Sequence, residues 1–253
     1  MASTSETGHA KNVANFEDLI SFCTGYGATY NPTKAAIKLT ALNTLRTTAL
    51  GTLTTVTTAN TAFMNATNTR QLIFEPLKKM ATRIVNALAA TDATQQTIDD
   101  AKTINRKIQG ARKGSSAKPI TPPTSDPNAP TPSPAPEGNQ ISVSQQSYDA
   151  LVDNFKKLVS LVGSEPTYAP NEADLKVAAL STLASTLVTN NTTVITATTT
   201  ISNARIARNT ALYTNKTGLY DIAQEVKNYV KSVFGTTSPQ YKQISGIKFT
   251  KPR

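Results

Sequence analysis

The sequence predicts an all-α fold. It reads as a tandem duplication of an elongated helical-bundle module, with one long helix of about 40 residues and shorter antiparallel helices per copy, joined by a proline-rich linker. Three observations predict it. Between Lys34 and Arg70 the residues Ala35, Leu42, Leu45, Ala49, Val56, Ala59, Phe63 and Ala66, with Lys38 and Thr52 completing the pattern, recur at spacings of three and four, the signature of one stripe on a helix or coiled coil. The stripe returns 138 residues later as Ala173, Leu180, Leu183, Leu187, Val194, Ala197, Ile201 and Ala204, and eight of sixteen positions are identical between Tyr30–Leu45 and Tyr168–Leu183. Eight of the fourteen prolines fall within residues 113–140, which cannot form a core and favour extended polyproline II.

Residues 1–14 are small and polar and read as a disordered leader. Module 1 then occupies 15–112, opening with a short helix from Phe16 to about Cys23 that Asn15 caps. Thr33 is expected to cap the long helix from Lys34 to Phe74. Threonine is a poor helix former, and TLTTVTTANT is β-prone by propensity alone. Leu53 and Val56, however, are three apart, which suits a helix and breaks strand alternation. Glu75-Pro76 ends the long helix, because proline lacks the N–H donor and disfavours helix in the residue before it. A third helix follows with Leu77, Met80, Ala81, Ile84 and Leu88 on one side. A more polar fourth runs from Thr97 to Gln109 and stops at Gly110.

Beyond the linker, module 2 (141–253) repeats the plan: a helix from Ser147 to Val162, the long helix, a closing helix from Leu219 to Phe234, then Gly235 and a basic tail. The 138-residue offset slips to 142 after Arg208, where the loop Thr214–Gly218 replaces Glu75-Pro76. It then pairs Leu77 with Leu219 and Asn86 with Asn228. Loops absorb insertions that packed helices do not.

The net charge of +10 suits acidic partners but is spread along the chain. A candidate basic patch gathers around the two helix breaks: Arg70, Lys78, Lys79 and Arg83 at the first, Arg205, Arg208 and Lys216 at the second. One cysteine, Cys23, excludes an intrachain disulfide and reads as a small buried hydrophobe, and the single His9 sits in the polar leader. With one of each, no zinc cluster and no Cys-His or Ser-His-Asp pair is expected, and Asp99-Asp100 reads as a solvated face. No enzymatic activity, cofactor or metal is expected. No apolar stretch reaches transmembrane length and the N-terminus carries no signal-like apolar run, so the expected location is the cytoplasm, with signal-independent export as the alternative.

These features point to a non-enzymatic structural or protein-interaction protein. The candidate interaction stripe is Leu42, Leu45, Ala49, Val56, Ala59 and Phe63 in one copy and Leu180, Leu183, Leu187, Val194, Ala197 and Ile201 in the other. Its expected partner is another protein or a second copy of itself. The first alternative is non-specific nucleic-acid binding through the basic surface. The second is a membrane-active bundle inserting Leu72-Ile73-Phe74, whose counterpart is Ala211-Leu212-Tyr213.

Overall fold

A computed structural model describes residues 4–110 and 146–251. Every regular element among them is helical. In order these are α1 (Thr4–Gly25), α2 (Leu39–Phe74), α3 (Leu77–Ala89), α4 (Gln95–Gln109), α5 (Tyr148–Gly163), α6 (Val177–Tyr213), α7 (Leu219–Phe234) and α8 (Pro239–Ser245). The strand reading of the threonine-rich stretches is set aside. The linker assigned to 113–140 lies outside the described residues.

The threonines of α2 and α6 fit a helix because their hydroxyls turn back onto it. Thr44, Thr54, Thr55, Thr57 and Thr61 each donate to the carbonyl four residues earlier, as do Thr182, Thr186, Thr189, Thr193, Thr199 and Thr200. Each hydroxyl is satisfied locally and the methyl is left at the helix surface. Helix ends follow the capping chemistry. Thr94, Ser147 and Ser238 accept from the N–H three residues on, and Gly110 (φ 79°) closes α4 in the left-handed region that glycine allows.

Two expectations need correction. The leader is helical rather than disordered from Thr4 onward, where α1 begins, and His9 and Asn12 are buried. Polar side chains can sit there because each is bonded. His9 Nδ1 lies 2.6 Å from the Tyr213 hydroxyl, and Asn12 exchanges hydrogen bonds with both the carbonyl and the N–H of Thr250. The long helix also starts at Leu39 rather than Lys34. Ala35–Ile37 forms a single 3₁₀ turn flanked by extended Lys34 and Lys38, and the Tyr30 hydroxyl donates to the Ile37 carbonyl (2.7 Å). The second corner is built the same way: a 3₁₀ turn at Ala173–Leu175, extended Glu172 and Lys176, and the Tyr168 hydroxyl donating to the Leu175 carbonyl (3.0 Å).

The chain divides into two compact units whose limits cut across the sequence modules: 1–66 with 195–253, and 67–194. The first unit's core joins Val13, Phe16, Leu19 and Cys23 of α1, Leu42 and Ala49 of α2, and Leu219, Ile222, Val226 and Val230 of α7, with Ile244 of α8. A second small cluster pairs α2 with α6 through Val56, Ala59, Ile201 and Ala204. These contacts run antiparallel, since Leu42 shares its core with Leu212. The second unit's core joins Leu77, Ala81, Ile84 and Leu88 of α3, Ile98 and Ile108 of α4, Phe155, Leu158 and Val162 of α5, and Leu180, Ala184 and Leu187 of α6. Each core therefore draws on residues from both halves of the sequence.

Cys23 is free and fully buried in the first core. Burial pushes its thiol up to about 12, with a smaller opposing effect from the nearby Tyr30 hydroxyl. Since the folded value is raised, the stability gained from keeping the thiol neutral is complete below about pH 9 and is lost as the pH climbs towards 12. A disulfide-exchange reagent at pH 8 is expected to label Cys23 only as fast as the protein opens, and immediately in denaturant.

Candidate functional site

The expected interaction stripe is used inside the chain. Leu42, Ala49, Val56, Ala59, Leu180, Leu187, Val194 and Ile201 are buried, and Leu45, Phe63, Leu183 and Ala197 are half-buried. The heptad identified the side of each long helix that faces its own core. Among the described residues the large apolar side chains left exposed lie elsewhere: Leu50 (48%) and Met64 (54%) on α2, Ile195 (56%) and Ile206 (61%) on α6 and Val233 (39%) on α7 in the first unit, and Leu72 (69%) in the second unit. Ile195 and Ile206 are eleven residues apart, about three turns, so they share one face of α6.

The seven basic residues do not make one patch within either unit. Arg70, Lys78, Lys79 and Arg83 belong to the second unit, and Arg205, Arg208 and Lys216 to the first. Several are committed to structural roles. The Arg70 guanidinium lies over the Tyr148 ring at 3.9 Å and donates to Asn191 Oδ1 (2.9 Å), while Asn191 donates in turn to Asp149 (2.5 Å). Arg208 is buried and bonded to Asn209 (2.9 Å), and Arg83 grips Asp174. Lys78, Lys79, Arg205 and Lys216 are exposed.

Partition by unit shows an asymmetry that the sequence halves concealed. Residues 1–66 and 195–253 carry thirteen Lys and Arg against five Asp and Glu, a net of +8, whereas 67–194 carry thirteen against eleven, a net of +2. In the first unit lysines sit over aromatic rings: Lys227 over Phe249, Lys231 over Tyr241 and Lys251 over Tyr220. Burial lowers the Lys227 ammonium from its ordinary value. The sequence signal for this surface was the basic tail read together with α7, which only the fold brings to one core.

The second unit holds an open cavity of about 470 Å³ where α3 meets the corner before α6. Ala87, Ala90, Tyr168, Pro170 and Leu175 supply its apolar wall, and Arg83, Asn86 and Glu172 its polar groups. Arg83 bonds both carboxylate oxygens of Asp174, one at 3.2 Å, which holds that carboxyl below the ordinary aspartate value. At the corner of the first unit the space beside the tyrosine holds a ring of the chain itself. There the Tyr229 ring of α7 meets Tyr30 edge-on with centroids 5.3 Å apart, its hydroxyl accepts from the Asn31 N–H (3.2 Å), and Lys34 pairs with Glu225 (2.5 Å). Sequence reasoning missed the cavity. The signal was available in the 142-residue offset, which sets Ala87 against Tyr229.

At the candidate insertion tip Leu72 is exposed, but Phe74 is buried and edge-on to Tyr148 (4.8 Å), and Leu212 is fully buried. Among the described residues no helix is long and apolar enough to cross a membrane, and no group of three His, Cys, Asp or Glu is placed to hold a metal ion.

No family model matches the chain, and no curated protein or solved structure matches it.

Proposed function

We propose that this is a non-enzymatic structural or protein-interaction protein. It is made by tandem duplication of a long-helix module joined through the proline-rich segment 113–140, and it acts through outward helix faces. Matching corners support the duplication: Tyr30 and Tyr168 each tether a carbonyl seven residues on, and each tethers the 3₁₀ turn that precedes a long helix. Burial follows the two offsets as well, with Leu42 and Leu180, Ala49 and Leu187, Ala81 and Ala223, and Leu88 and Val230 paired as buried positions.

The observation that carries the interaction reading is the exposed face of α6 bearing Ile195 and Ile206, set among short threonine side chains. Isolated apolar residues on a surface are ordinary, but two large ones in register on one helix face offer a docking ridge. The first partner to test is a second copy. Light scattering across a concentration series, with chemical crosslinking, is expected to show a concentration-dependent dimer that Ile195→Lys with Ile206→Lys abolishes. A monomer at all concentrations in both proteins contradicts the self-association reading.

Non-specific nucleic-acid binding is the second reading, favoured by the +8 carried by the first unit. It predicts DNA retardation that weakens steeply with salt and is lost when Lys231, Lys242, Lys248 and Lys251 are changed to Glu. Retardation unaffected by those changes contradicts it.

A further inference from the structure

The two corners differ in one decisive way. The offset that aligns Leu77 with Leu219 sets Arg83 against Glu225, Asn86 against Asn228 and Ala87 against Tyr229, and the preceding offset sets Tyr30 against Tyr168 and Ile37 against Leu175. In the first unit the chain supplies its own ring: Tyr229 stands edge-on to Tyr30 and its hydroxyl is held by a backbone N–H. In the second unit the equivalent helix carries a methyl, and the space beside Tyr168 is an open cavity of about 470 Å³ lined by Ala87 and Leu175.

We propose that this cavity is a binding site for a phenolic ring, which occupies beside Tyr168 the place that Tyr229 occupies beside Tyr30. The proposal uses the residue correspondence of the duplication and does not depend on the docking ridge of α6. The cavity is of a size that ligand sites typically have. Tyr168 is a fixed wall, because its hydroxyl is already spent on the Leu175 carbonyl, leaving its ring to make the edge-on contact that aromatic pairs prefer. Asn86 and Glu172 place a donor and an acceptor around the same space, beside an Arg83 guanidinium already held by Asp174, so a phenol hydroxyl has polar partners there that a saturated hydrocarbon cannot use.

The probe is p-cresol titrated into the full chain and followed by methyl resonances in NMR, with cyclohexanol as the non-aromatic control. Saturable shifts at the Ala87 and Leu175 methyls, absent with cyclohexanol, are expected. Ala87→Tyr fills the cavity from within, so it is expected to weaken p-cresol binding at the Leu175 methyls by at least about tenfold and to raise the melting temperature. Tyr229→Ala is expected to open a second site, seen as new shifts at Ile37. A blocked Gly-Tyr-Gly peptide separates two sources of the ring: tighter binding than p-cresol points to a tyrosine presented by a protein, weaker binding to a free phenol. No saturable shift at Leu175 in the wild-type chain overturns the proposal, as does an Ala87→Tyr chain that folds and binds p-cresol as tightly as wild type.

Discussion

Replacing Phe155 with alanine is expected to cost about 3–5 kcal/mol of unfolding free energy, measured by urea denaturation. Phe155 is fully buried on α5, and its core joins α3, α4 and α6. Truncation removes a large apolar side chain and leaves a cavity that four helices would have to close together. Phe16 on α1 is equally buried, in a core shared with α2 and α7. Phe16→Ala is expected to fall in the same range. A cost under about 1 kcal/mol for either change would mean that the packing described for that core is wrong.

Glycine-to-alanine changes are expected to have opposite signs at two positions. At Gly218 an added Cβ would lie 2.6 Å from the Thr214 backbone nitrogen and 2.8 Å from that of Tyr213. The Gly218 N–H also donates to the Thr214 carbonyl at 2.8 Å, so the loop cannot retreat without losing that bond. The backbone there is extended (φ −73°, ψ 155°), so close approach rather than dihedral preference demands glycine. Gly218→Ala is expected to destabilise by about 1–3 kcal/mol, because Leu219 and Ile222 immediately follow in the core. Gly51 lies within α2, exposed, with nothing near its Cβ position. Gly51→Ala is expected to stabilise by about 0.5–1 kcal/mol through helix propensity. Melting both variants beside wild type checks the contrast.

Much of the helical plan was legible because it rests on local chemistry. Glu75-Pro76 ends α2, Ser147 caps α5, and Gly110 and Gly235 follow α4 and α7. Where the reading missed, a non-local partner decides the local state. Nothing within residues 1–14 announces a helix; His9 and Asn12 become tolerable in a core only because Tyr213 and Thr250 return from far along the chain. The first turn of the predicted long helix is lost because a tyrosine hydroxyl captures the Ile37 carbonyl, a competition that propensity does not see. The apolar side of each long helix is the side turned to the cores. Periodicity says which side of a helix is apolar, and says nothing about which other segment covers it. Nor does spacing show which basic side chains are taken up locally: Arg70 and Arg208 lie at matching positions, and each is engaged by neighbours in its own unit. The cavity at Tyr168 is defined by an absence, Ala87 in place of a ring, and only the two corners side by side reveal it.

The central structural claim is that each core is assembled from both halves of the sequence: α1 and α2 with α7 and α8 in one, α3 and α4 with α5 and α6 in the other. The direct test is to produce residues 1–112 and 141–253 as separate polypeptides and record circular dichroism melts of each alone and of an equimolar mixture. The account predicts that neither piece alone shows a cooperative transition, and that mixing restores helix content and a single sharp melt in a one-to-one complex. Two pieces that each melt cooperatively as monomers, unchanged by mixing, would contradict it.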